Sequence, residues 1–223
     1  MHRSYPRGYA EDVTAGATTT TTSERGRGPV ILFAGGGSGG HLSPGLAVAE
    51  RLAELEPRAR TLFACSERPI DAQMLSAASV QWHAIPAAGF GARPRALLRF
   101  VRAYRRGARS AAALMRAQQV DVVIAMGGFV AAPVMRAARR CGARTILVNL
   151  DDPPGKANRV MARHSDCVIS TIAGHDERRF AQHVVPMPIR RNCLARATPA
   201  DARARTATTS TSVACRPRTT TTS

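Results

Sequence analysis

One histidine, His41, closes the run Gly35-Gly-Gly-Ser38-Gly39-Gly40-His41. It is the residue best suited to moving a proton here, because an imidazole changes charge near neutral pH. The five glycines around Ser38 let the backbone reach φ > 0 and let a ligand approach without meeting Cβ atoms. Such a loop serves the holding of phosphate or diphosphate, since the helix that starts there offers N–H groups and the positive end of its dipole. A second glycine corner, Gly127-Gly128, stands between Asp121-Val-Val-Ile-Ala-Met126 and Phe129-Val-Ala-Ala-Pro133. Two readings are open for it: a tight strand-to-helix turn, the commoner use of paired glycines, or the second wall of a cleft shared with the first loop. His41 also has two readings, a proton carrier or a histidine that orients or caps the helix.

The pattern Gly35-x-Gly37-x-x-Gly40 is the dinucleotide fingerprint as well, which makes a dinucleotide-dependent oxidoreductase the alternative. That fold wants an acidic residue closing the second strand about 20 residues on. The nearest is Glu67, after Thr61-Leu-Phe-Ala-Cys-Ser66, and it lies too far along. An imidazole directly after the last glycine would also crowd a dinucleotide's diphosphate.

The elements that must position these residues alternate. Strand-like runs at Val30–Ala34, Thr61–Cys65, Val80–Ile85, Asp121–Met126, Thr145–Val148 and Cys167–Thr171 are separated by helical stretches over 42–55, 70–78, 95–118, 131–141 and 156–164. Strand, helix, strand predicts an α/β domain with a doubly wound parallel sheet, and such a sheet binds ligands at the carboxyl ends of its strands. Residues 1–28, with Thr18-Thr-Thr-Thr-Thr22, hold no apolar run that a core could use, and neither do 196–223, so both are expected to be tails around a domain at 29–195.

The net charge is +17, and every basic residue but Lys156 is arginine. So basic a chain favours anionic partners. Nucleic acid is excluded as the main one, because aromatics make up only 4% and no reader motif is present. Cys65, Cys141, Cys167, Cys193 and Cys215 have no close pairing, and the first three read as small buried hydrophobes in a reducing compartment. No metal cluster and no cofactor is expected. Apolar runs fall far short of the ~20 residues a spanning helix needs, and no signal peptide is recognisable. A cytoplasmic protein that touches a membrane from one side is the expectation. The helix from Arg95 carries Arg95, Arg99, Arg102, Arg106 and Arg109 on one stripe, with Leu97, Phe100, Val101, Tyr104 and Ala108 on the other side. The stripe reads either as a solvated face or as a contact with an anionic membrane surface.

Taken together these residues resemble the N-terminal domain of the MurG family, lipid-linked cell-wall glycosyltransferases. Gly36-Gly-Ser-Gly-Gly-His41-x-x-Pro44 is similar to that family's first glycine loop, and Asp121 through Pro133 to its second. Pro154-Gly-Lys-Ala-Asn158-Arg159 resembles the helix start after the fifth strand, and Val184-Val-Pro-Met-Pro188-Ile-Arg190 the strand leading into an interdomain linker. The resemblance implies the Rossmann-like N-terminal half of a GT-B fold. It also implies transfer of N-acetylglucosamine from UDP-N-acetylglucosamine to undecaprenyl-diphospho-muramoyl-pentapeptide, at the cytoplasmic face of the inner membrane. Under it Ser38, Gly39, Gly40, Gly127 and Gly128 would meet donor or acceptor diphosphate, with Asp151 and Arg190 at the domain seam. Three departures stand out. The family's His-Glu-Gln-Asn run is Val148-Asn149-Leu150-Asp151 here, the Gly-Asn before Pro188 is Pro186-Met187, and a Thr/Arg/Ala tail resembling shifted-frame translation stands where a second domain is expected.

Overall fold

Five successive apolar residues form β1 (Val30–Ala34), and all five are buried, as a strand covered by helices on both faces requires. The structure is a computed structural model, and it describes residues 27–194 apart from 38, 92 and 173–179. The expected tails, 1–28 but for its last two residues and 196–223, lie outside the described residues, as does Ser38. After β1 come α1 (Gly39–Leu55), β2 (Arg60–Cys65), α2 (Pro69–Ala77), β3 (Trp82–Ala84) and α3 (Pro94–Gln118). Then follow β4 (Val122–Ala125), α4 (Ala131–Cys141), β5 (Arg144–Asn149), α5 (Lys156–Ala162), β6 (Cys167–Ser170), β7 (His183–Val184) and α6 (Arg191–Leu194).

The sheet order is β3-β2-β1-β4-β5-β6-β7, and every pairing is parallel. The chain therefore starts in mid-sheet, winds to one edge, and returns to the other side of β1. That reversal makes the β1/β4 boundary the topological switch point, where ligands bind in doubly wound sheets. Both faces carry a core. Ile31 and Phe33 pack with Leu42 and Leu46 of α1 and Leu75 of α2, with Phe33 stacked on Phe63 at 5.0 Å. Val30, Leu32 and Ala34 point the other way, into Ala111 and Met115 of α3 and Val134 and Ala138 of α4. The period of two in β1 thus divides the helices into two layers.

Several expected boundaries move for identifiable reasons. α1 begins at Gly39 instead of 42, so it takes Gly39, Gly40 and His41 into its first turn and contains Pro44. β3 is shorter than Val80–Ile85, because the Val80 N–H is used to close α2, donating to Leu75 O at 3.3 Å. α5 stops at Ala162, and the N–H of His164 bonds Met161 O in a tighter turn. The expected inward face of α3 holds for Ala108 but not for Leu97, which is 42% exposed. At 25 residues α3 runs about 37 Å, against about 17 Å for the 11-residue α4 it packs on, so its first turns pass beyond their cover. Cys65 is buried as expected, whereas Cys141 and Cys167 are only half-buried.

Candidate functional site at the switch point

The site starts from two strands that end level, since Ala34 of β1 lies beside Ala125 of β4. The two glycine loops consequently leave the sheet side by side. Gly127 and Gly128 have φ of +108° and +80°, and a Cβ on Gly128 would stand 2.2 Å from Gly36 O. The two loops are in backbone contact, so a tight turn alone does not account for the paired glycines. A Cβ on Gly127 would stand 2.7 Å from His41 Cδ2 and 2.9 Å from Nε2. His41, third residue of α1 and half-buried, thus lays its imidazole against the second corner. The structure brings His41, Gly127, Gly128 and the start of α1 at Gly39 and Gly40 to one place.

Residues that sequence reasoning missed hold this place together. Asp71, in the first turn of α2, is fully buried, and its Oδ2 accepts hydrogen bonds from Gly37 N at 2.8 Å, Ser66 N at 3.2 Å and Ser66 Oγ at 2.5 Å. Three residues earlier, Arg68 donates through Nη1 to Gly37 O at 2.7 Å. Its guanidinium carbon lies 5.9 Å from the centre of the Phe129 ring, close enough for a cation–π contact. Phe129 is 47% exposed and flanks Gly37 and Gly89. Behind the loop, burial and then the Asp71 charge push the Cys65 thiol up to about 11, so it stays protonated and unreactive at neutral pH.

On the other side of β4, the carboxyl end of β5 carries a buried amide pair. Asn158 Nδ2 donates to Asn149 Oδ1 at 2.9 Å, and Asn149 Nδ2 donates to Asp151 O at 2.8 Å. Asn149 thereby fixes the backbone at exposed Asp151, on the same edge of the sheet as the glycine loops. Arg190 is not brought to that edge. Its Nε donates to Glu50 Oε1 at 2.7 Å, and Arg191 Nη2 to Glu54 Oε2 at 2.9 Å, which ties the segment after β7 to α1. Glu50 lies nine residues beyond His41, about 14 Å along the helix.

Arg95, Arg99, Arg102, Arg106 and Arg109 are all exposed on α3. Beside them stand exposed Leu97, Leu98 and Phe90, the last packed edge-on against Phe100 at 5.6 Å. Among the described residues no helix is long and apolar enough to cross a membrane, and no three His, Cys, Asp or Glu gather into a set that could hold a metal ion.

The model of the glycosyltransferase family 28 N-terminal domain matches residues 31–170, which span β1 to β6 and both glycine corners. The UDP-N-acetylglucosamine--N-acetylmuramyl-(pentapeptide) pyrophosphoryl-undecaprenol N-acetylglucosamine transferase of Desulforudis audaxviator is 34% identical over 72% of this chain and 44% of its own length. The protein of the same name from Leifsonia xyli is 36% identical over 71% of this chain and 44% of its own length. The chain therefore spans somewhat under half the length of these curated relatives. Acinetobacter baumannii MurG superposes with a TM-score of 0.57 at 21% identity, over 72% of this chain and 46% of that one, which shows the shared fold. A Rickettsia africae glycosyltransferase does so with a TM-score of 0.50 at 15% identity, over 82% of this chain and 50% of that one. The dinucleotide alternative on Gly35, Gly37 and Gly40 finds no support. β2 ends at Cys65 with Glu67 exposed beyond it, and the matching family is one of sugar transfer.

Proposed function

The chain belongs to the glycosyltransferase family 28 N-terminal domain family, and from that premise we propose that it forms the acceptor-side half of a peptidoglycan glycosyltransferase. The reaction is transfer of N-acetylglucosamine from UDP-N-acetylglucosamine to undecaprenyl-diphospho-muramoyl-pentapeptide. An acceptor hydroxyl oxygen attacks the anomeric carbon, the carbon–oxygen bond to UDP breaks, and the diphosphate takes the electron pair. The hydroxyl proton needs a base, and fixed dipoles must face the diphosphate. His41 is assigned the proton role, on the support of its contact with Gly127 at the meeting of the two glycine corners. Ser38, Gly39, Gly40, Gly127 and Gly128 are assigned to a diphosphate and Asp151 to the seam with a second domain, while Arg190, expected there too, is instead paired with Glu50 of α1.

The single observation that carries this reading is the backbone contact between Gly128 and Gly36 at the sheet's switch point, inside the matched segment. The α3 stripe supports a peripheral place on the cytoplasmic face of the inner membrane, because its arginines stand beside exposed apolar side chains. The test fuses this chain to the C-terminal half of a full-length relative and measures transfer of radiolabelled N-acetylglucosamine to the lipid-linked acceptor. Transfer that falls at least ~100-fold with His41→Ala is the expected result for loss of a general base. Unchanged turnover would remove His41 from the mechanism, and a fusion that binds neither substrate would remove the function.

A further inference from the structure

We infer that Asp71 is a positioning residue for the first glycine loop, acting through Gly37 to set how Gly39 and Gly40 meet a diphosphate. This rests on the proposed reading of the loop as a diphosphate site. Asp71 is fully buried, it makes no ion pair among the described residues, and its Oδ1 has no hydrogen-bond partner there. A buried carboxylate in that state is unfavourable, and an apolar side chain such as that of Leu75 in the same helix would serve the core better. What an apolar side chain could not do is hold the Gly37 N–H, across 34 residues of sequence.

The effect on the loop is directional. Gly36 and Gly37 have φ of +153° and +90°, a left-handed path that neither the sheet nor α1 stabilises. Asp71 takes the Gly37 N–H and Arg68 takes the Gly37 carbonyl, so both polar groups of that residue are gripped by the N-terminal turn of α2. The Gly37 amide thus faces into the protein. The donors left for an anion belong to the start of α1, where a helix leaves its first N–H groups without carbonyl partners. Holding Gly37 fixes where that start lies relative to Gly128. A loop preorganised in this way binds without first giving up conformational freedom.

A merely stabilising role is separated from this one by Ser66→Ala. That change deletes a hydrogen bond to the same carboxylate oxygen and leaves the Gly37 contact in place. The readouts, on the 223-residue chain well below its unfolding temperature, are amide exchange at Gly37 and calorimetric affinity for geranyl diphosphate. Asp71→Ala is expected to speed Gly37 exchange and weaken binding about tenfold or more, the worth of a charge-assisted hydrogen bond. Ser66→Ala should leave both within about twofold even if it unfolds at lower temperature. Asp71→Asn keeps one acceptor oxygen, so it should fall between the two, and it carries the test if Asp71→Ala does not fold. Unchanged Gly37 exchange in the Asp71 variants would overturn the clamp. Faster exchange with unchanged affinity would overturn the positioning role. A wild-type chain that binds no diphosphate would overturn the site reading and this inference together, a result told apart because exchange is read without ligand.

Discussion

Gly128 and Gly142 adopt nearly the same left-handed backbone, at φ of +80° and +76°, yet a methyl group would meet very different surroundings at the two positions. At Gly142, which ends α4, nothing lies within 4 Å, so Gly142→Ala should cost only the left-handed penalty of about 1–2 kcal/mol. At Gly128 the new carbon would lie 2.2 Å from the Gly36 carbonyl oxygen, which is backbone and cannot swing aside. Gly128→Ala should therefore destabilise by about 3 kcal/mol or more in urea unfolding, with the excess reporting the contact between the loops. Equal losses at both positions would mean that the corners do not touch in solution. At this scale the sequence was legible wherever residue type sufficed. Glycine runs and a histidine after them announce themselves, whereas Asp71 and Ser66 are ordinary residues until the fold carries them to Gly37. An acidic residue in the first turn of a helix is commonly only a favourable dipole partner, so nothing in its type or place marks Asp71 as a holder of Gly37.

At the scale of elements, the sequence located β1 and α4 to the residue and α3 to within one residue, β1 as an unbroken apolar run before a glycine loop and the helices by their period. The errors came where a backbone group had two possible partners, as at Val80, or where a helix outran its neighbour, as at Leu97. The second error bears on function. With Leu97 and Leu98 at 42% and 52% exposure beside the arginines, the first half of α3 offers both apolar and cationic contact to a bilayer. Sedimentation with anionic vesicles should then weaken with salt, and Arg99→Gln with Arg106→Gln should reduce binding several-fold for each charge at low salt, as ~1 kcal/mol per arginine implies. Leu98→Ser should reduce it by a factor that salt does not change, since apolar insertion is unscreened. Equal sedimentation with neutral and anionic vesicles would leave the stripe as a solvated face.

The described residues form one seven-stranded sheet, and the chain spans under half the length of the relatives it matches. Seven strands and two apolar layers among the described residues, with a family match from 31 to 170, describe a unit that buries its own core, as domains of this size do without help. Yet the 165 residues that match cover only 44% of the Desulforudis relative. A reaction between two bound substrates depends on holding the attacking oxygen in line with the anomeric carbon, and positioning of that kind accounts for ~7–11 kcal/mol of barrier lowering. The first glycine corner and α3 face the acceptor under the proposed function, while Asp151 stands exposed at the same edge of the sheet and Arg190 is paired with Glu50 of α1. The 223 residues alone are thus expected to unfold in one cooperative transition, to bind geranyl diphosphate, and to transfer no measurable N-acetylglucosamine to a lipid-linked acceptor. Addition of the C-terminal half of a relative should restore transfer. Multiple turnover by the purified 223-residue chain would show that the donor is positioned by these residues alone, and the loss of any cooperative transition would show that the sheet needs a second domain to stand.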